Sequence, residues 1–194
     1  MRKLLNTAML LLAVLMTACT APDTWELVSK ENNIRFVLKN REEKGEMNLC
    51  YSVYYKDTVA VEKSLLGLMM DNCEYGKDAQ FVSASAVKDI YDAYQLKSGK
   101  KLRTSDECRE QTFTFRSKEG RLFNLIVRAY SDGVAFRYGF PEADGRMHAI
   151  QTEHTEFAVP VNGKAWIHPY DWNDRHKPSY EQYCRSEIEI RSEC

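Results

Sequence analysis

The densest group of chemistry-bearing side chains lies between His168 and His176, where two imidazoles stand with Tyr170, Asp171, Trp172, Asp174 and Arg175. Histidine and aspartate both ligate zinc, but the spacing here fits no short zinc motif. A polar stretch without periodicity reads as a solvated loop. Trp166, Tyr170 and Trp172 offer flat faces of the kind that meet the apolar side of a pyranose ring. Large aromatics serve as often in a core, and both readings stand. Ordinary glycoside hydrolysis needs two carboxylates flanking the scissile bond. With 28 acidic residues in the chain a pair is easily drawn by chance, so no catalytic residue is assigned. No G-x-S-x-G elbow, P-loop or dinucleotide fingerprint is present.

The elements that must position such groups read as strands almost throughout. In the run from Arg128 to Tyr138, Leu125, Val127 and Ala129 alternate with Ile126, Arg128 and Tyr130, and Val134, Phe136 and Tyr138 share a face opposite Ala135 and Arg137. That period of two predicts a β-hairpin with Arg128 and Arg137 on its legs. Asp132-Gly133 predicts a two-residue turn with positive φ at both positions. On residue type alone the two arginines read as ordinary surface charges; the other reading is that one of them is held by a carboxylate of the sheet, because buried guanidinium groups are rarely unpaired.

Ile34, Phe36 and Leu38 alternate with charged residues, Met47 to Tyr55 continue the period, and Thr112 to Phe115 precede a turn at Lys118-Glu119-Gly120. Phe157 to Val161 predict a strand meeting a second turn at Asn162-Gly163, which leads into Ala165-Trp166-Ile167. Val87, Ile90, Tyr91 and Tyr94 sit at helical spacing. Regular short strands separated by turn signals predict an all-β sandwich.

The run Arg128-Ala-Tyr130-Ser-Asp132-Gly133-Val-Ala-Phe136-Arg137-Tyr138 resembles a segment of the N-terminal domain of glycoside hydrolase family 97. Four further stretches resemble that domain in the same order: Trp25-Glu26-Leu27, Ser64 to Leu68, Glu153 to Phe157, and Tyr180-Glu181-Gln182-Tyr183. The resemblance implies a β-super-sandwich of the galactose-mutarotase-like kind, and it places Tyr91 to Leu96 on a strand running into Gly99. It implies a domain that packs on a catalytic barrel, lends residues to the rim of an α-glucoside or α-galactoside pocket, and supplies Glu181 to a calcium shell. Calcium takes six to eight oxygens. Glu181 alone is therefore not expected to hold the ion, and its other reading is a surface glutamate. The competing class is a free-standing carbohydrate-binding or structural lipoprotein.

Length and charge narrow the choice. At 194 residues the chain suits one domain. It is too short to hold a (β/α)8 barrel, which takes about 250 residues. The expected domain thus spans 20–194, incomplete at its C-terminal end and severed from the barrel. A net charge of -1 does not suggest a nucleic-acid partner. Residues 1–19 read as a signal segment, with Arg2 and Lys3 before a short apolar core. Leu15-Met16-Thr17-Ala18-Cys19 resembles a lipobox, in which Cys19 is lipidated; because Met16 is less usual at its position, ordinary signal cleavage is the other reading. The chain is expected in the periplasm or outer membrane, tethered by lipid. Cys50, Cys73, Cys108, Cys184 and Cys194 then remain, an odd number that cannot all pair within one chain.

Overall fold

A computed structural model describes residues 24–43, 45–142, 144–161, 164–167 and 185–189. The first four strands, β1 (Thr24–Val28), β2 (Ile34–Glu43), β3 (Glu46–Tyr55) and β4 (Thr58–Leu65), form an antiparallel meander in that spatial order. A short hairpin follows, β5 (Leu68–Met70) and β6 (Cys73–Tyr75). The second large sheet takes β7 (Gln80–Ala84), β8 (Lys88–Gln95), β9 (Arg103–Arg116), β10 (Leu122–Ala129) and β11 (Val134–Gly139). Its order is β11-β10-β9-β7, and β8 pairs with the first half of β9. The chain then returns as β12 (Ile150–Glu153) to pair with β5, and β13 (Lys164–Ile167) pairs with β14 (Arg185–Glu189). The described residues are all-β, built into several antiparallel sheets as the sequence pattern predicts.

The core lies between the two large sheets. Phe36, Leu38, Leu49 and Tyr51 of the meander are buried with Phe113, Phe115, Phe123, Leu125, Val127 and Ala129 of the second sheet. Each large side chain so buried contributes about 1.5–3 kcal/mol through removal of apolar surface from water. Trp25 bridges the layers, stacked on Phe81 at 4.6 Å and edge-on to Phe115 at 5.4 Å. On β10 the alternation is strict: Phe123, Leu125, Val127 and Ala129 are buried, and the residues between them are half-exposed.

Two glycines set the approach of the β5–β6 hairpin to the meander. A Cβ at Gly76 would lie 2.2 Å from the Leu66 carbonyl oxygen and 2.8 Å from Gly67 Cα, and one at Gly67 would lie 2.8 Å from the Tyr75 oxygen. Gly76 also has φ +109, a conformation that side chains of L-residues rarely adopt. The two backbones touch here, and the contact lets Gly76 accept a hydrogen bond from the Leu49 amide at 2.8 Å.

The strand that the resemblance implies over Tyr91 to Leu96 is present as Lys88–Gln95, despite the helical spacing of this stretch. The ribbon of β8 and the first half of β9 is largely exposed on both faces, so no buried side imposes a period of two on its sequence. Two expectations are corrected. The β10–β11 hairpin forms, but Asp132 and Gly133 are not its two central residues. The Tyr130 amide donates to the Gly133 carbonyl at 2.9 Å and Ala129 pairs with Val134, so the centre is Ser131-Asp132. None of residues 131–133 has positive φ. Gly133 takes the fourth place of the turn, where glycine is favoured without needing a left-handed backbone.

Residues 157–161 do not form a strand either. They run beside β4 through isolated bonds, Glu62 N–H to the Ala158 carbonyl and Ala158 N–H to Ser64 Oγ, because side-chain contacts interrupt the ladder. The predicted turn at Asn162-Gly163 lies outside the described residues, and β13 begins just beyond it, where Ala165 to Ile167 predict a strand.

Candidate functional site

Three of the five motif stretches converge on one patch. From Glu153 to Phe157 the chain lies across the end of β4 and the Leu66-Gly67 connection: the His154 amide donates to Gly67 O at 2.8 Å and the Glu156 amide to Leu65 O at 3.0 Å. Glu156 Oε2 accepts from the Leu65 amide at 3.1 Å, and its carbonyl accepts from the Tyr51 hydroxyl at 2.7 Å. Thr155 Oγ1 and the Tyr138 hydroxyl share a hydrogen bond of 2.9 Å. The patch thus joins Ser64 to Leu68, the F-R-Y end of β11, and Glu153 to Phe157.

Aromatic rings complete it. Phe157 stacks on Phe136 with centroids 6.1 Å apart and planes 19° apart, and meets Tyr51 edge-on at 6.3 Å. Phe157 is nevertheless 68% exposed, so much of its surface is open to a partner. Burial pushes the Tyr51 phenol up to about 12 and raises that of Tyr138 as well. Both stay protonated at neutral pH and act as hydrogen-bonding groups, not bases. Arranged this way, the patch can position and pack; it presents no nucleophile beside a base.

On the outer face of the β10–β11 hairpin, Arg128 reaches across two neighbouring strands. Its Nε donates to Glu110 Oε2 of β9 at 2.7 Å and its Nη1 to Asp92 Oδ2 of β8 at 2.8 Å. The hydrogen bond that Arg128 donates to Glu110 is the largest cause that raises the guanidinium pKa further above its ordinary value. This is the carboxylate-held arginine of the second sequence reading, and it staples the ribbon to the hairpin. Arg137 is exposed, with no hydrogen bond or ion pair among the described residues. Ile126, Arg128, Tyr130, Ala135, Phe136 and Arg137 line a shallow cleft of about 290 Å³.

The other residues singled out are dispersed or not described. Asp132 and Gly133 sit in the hairpin turn, away from the aromatic patch in the chain's register. Trp166, on β13, is 67% exposed. Tyr170, Trp172, Glu181 and Cys19 lie outside the described residues. Among the described residues no group of three or more His, Cys, Asp or Glu side chains is placed to hold a metal ion. Sequence reasoning does not mark Tyr51, Tyr138 and Glu156 as site residues, although Tyr138 and Glu156 lie in matched stretches. The alternation of β3 and β11 places the two tyrosines on core faces, but only the return of a segment far along the chain makes them meet it.

The sequence model described as glycosyl-hydrolase 97 N-terminal matches residues 27–193. The chain belongs to this family. A probable retaining alpha-galactosidase of Streptomyces bingchenggensis (strain BCW-1) is 28% identical over 110 residues, 57% of this chain and 17% of that protein. A solved beta-arabinopyranosidase superposes with a TM-score of 0.74 at 24% identity, over 85% of this chain and 26% of its own. A family 97 enzyme from Pseudoalteromonas sp. strain K8, crystallised with panose, gives 0.62 at 23% identity over 73% and 22%. At such identity the structural likenesses establish the fold. The match spans about a sixth of the curated relative's length.

Proposed function

We propose that this chain is the structural N-terminal domain of an α-glycoside hydrolase, a domain that supports a catalytic barrel and shapes its sugar pocket without catalysis of its own. The observation that carries the reading is the patch around Phe157. Backbone and side-chain groups of the matched stretches hydrogen-bond that segment, yet Phe157, Val159 and Val161 on it, and Trp166 and Ile167 of β13, remain exposed. A succession of exposed apolar side chains on an anchored segment is what a docking surface presents to a partner. Trp166, with Tyr170 and Trp172, is assigned to sugar contact in the assembled enzyme, and Glu181 to its calcium shell. Calcium there would fix substrate and carboxylates by charge. The oligosaccharide complexes of the Pseudoalteromonas relative favour an α-linked substrate class.

The chain is assayed on nitrophenyl α-glucoside and α-galactoside, with sedimentation followed in parallel. No turnover is expected, and Phe157→Ser with Val159→Ser should reduce self-association. Turnover abolished by Glu181→Gln would overturn the reading and indicate a complete small enzyme. We also propose that Cys19 carries the lipid anchor, on the strength of its lipobox-like context. Cys19→Ala should remove lipid label and membrane fractionation together; unchanged labelling would reject the anchor.

A further inference from the structure

The segment that joins β11 to β12 is fastened to the β5–β6 turn by one imidazole between two carboxylates. His148 Nδ1 bonds Asp71 Oδ2, and His148 Nε2 lies 2.9 Å from Asp144 Oδ1. Asp71 Oδ1 accepts from the Ala149 amide at 3.1 Å, and the Asp71 amide donates to Ala149 O at 3.2 Å. Next to this, Gln151 Nε2 donates to Asn72 Oδ1 at 3.2 Å, and the Asn72 amide donates to Gln151 Oε1 at 3.3 Å. Asp71 and Asn72 adopt φ of 52° and 60°, which Asp and Asn tolerate better than most residues, so the turn presents its side chains toward the returning chain.

A neutral imidazole carries one N–H, and a carboxylate only accepts. Both ring nitrogens of His148 face carboxylate oxygens, so both bonds exist together only in the imidazolium. After loss of the proton, one nitrogen turns a lone pair toward a carboxylate and that contact becomes repulsive. We propose that His148 is a proton-operated clasp: protonated, it locks the 144–151 segment and the start of β12 onto the β5–β6 turn, and deprotonated it releases one side.

The charged groups facing it are few. Asp71 belongs to the turn and has Arg121 as an electrostatic neighbour; Asp144 lies on the segment itself, with Arg146 Nε 3.3 Å from its Oδ2. The Asp71 bond, then the Asp144 bond, raises the His148 pKa, and the His148 bond is the first cause lowering that of Asp71. Asp144 is lowered first by the Arg146 amide and then by His148. A raised histidine contributes stability that is full below its unfolded pKa of about 6.5 and vanishes as pH rises through the folded value. The lowered aspartates contribute above about 3.9 and lose that contribution as pH falls through their folded values. The clasp therefore contributes its full stability between about pH 4 and 6.5, and it opens on the alkaline side as pH passes through the raised His148 value.

The clasp does not depend on the docking reading and is tested separately, on the full chain. Histidine ring protons are titrated by NMR, with His148→Gln giving the assignment. Amide-exchange protection at Asp71 and Ala149, corrected for intrinsic rates, is followed from pH 5 to 9. His148 should titrate above the ordinary histidine range, and protection at both amides should fall about two- to fivefold across that titration, the scale of exposed ion pairs. The turn at Ser117 to Gly120 should not respond. Asp71→Asn, which keeps a residue that tolerates positive φ, should lower the His148 pKa, and His148→Gln should remove the pH step. An ordinary or depressed His148 pKa, or protection that does not follow it, would overturn the proposal.

Discussion

Removing the Arg128 guanidinium should separate the β8–β9 ribbon from the hairpin and lower stability by about 1.5–2 kcal/mol. The pair with Glu110 is the stronger, because the Glu110 side chain is only 19% exposed and the Arg128 side chain 32%. A hydrogen bond to a charged group is worth about 1.5–3 kcal/mol when buried, and partial solvent contact here reduces it to about 1. The Asp92 side chain is 50% exposed, so that pair adds only about 0.3 kcal/mol. Without Arg128, Asp92 stands directly opposite Asp106 and lacks its guanidinium partner, at a further cost of about 0.2–0.5 kcal/mol. Urea unfolding of Arg128→Ala, Glu110→Ala and the double variant should give a coupling of about 1 kcal/mol that shrinks with added salt. Thermal unfolding should shift by about 3–8 °C. Arg128→Lys should recover less than half of the loss, since one ammonium does not fork between two carboxylates as a guanidinium does. A coupling below about 0.3 kcal/mol, or one insensitive to salt, would refute the staple.

Gly76→Ala should be among the most damaging single substitutions, at about 3 kcal/mol or more, because its Cβ would meet the Leu66 carbonyl at 2.2 Å in a left-handed backbone. Gly133→Ala should stay within about 0.5 kcal/mol in the same urea assay, since a Cβ there meets nothing within 4 Å and φ is not positive. A large loss at Gly133 would reinstate the primed turn. Burial pushes the Cys73 and Cys108 thiols up, so a thiol reagent at pH 8 should label them only in urea, as read by mass spectrometry of peptides. Rapid native labelling of either would contradict their burial.

Local chemistry carried much of this protein in its sequence. Period-two alternation places Phe36, Leu38, Val127 and Phe136 on core faces whatever the rest of the chain does, because a strand's side chains alternate by covalent geometry. That one of Arg128 and Arg137 could be held by a carboxylate was legible for a related reason, since a guanidinium on a packed strand needs a partner; that it is Arg128, held by Glu110 and Asp92, came from the sheet register. Three things needed the tertiary structure. The hairpin turn moved by one residue because strand register, set by packing on both sides, overrode the local preference of Asp132-Gly133. Gly67 and Gly76 meet because two backbones cross, a fact that neither glycine's neighbours in sequence encode. The clustering of Tyr51, Tyr138 and Glu156, and the capture of His148 by Asp71, join residues far apart in the chain, and such contacts depend on where the returning segment lies, not on any local pattern.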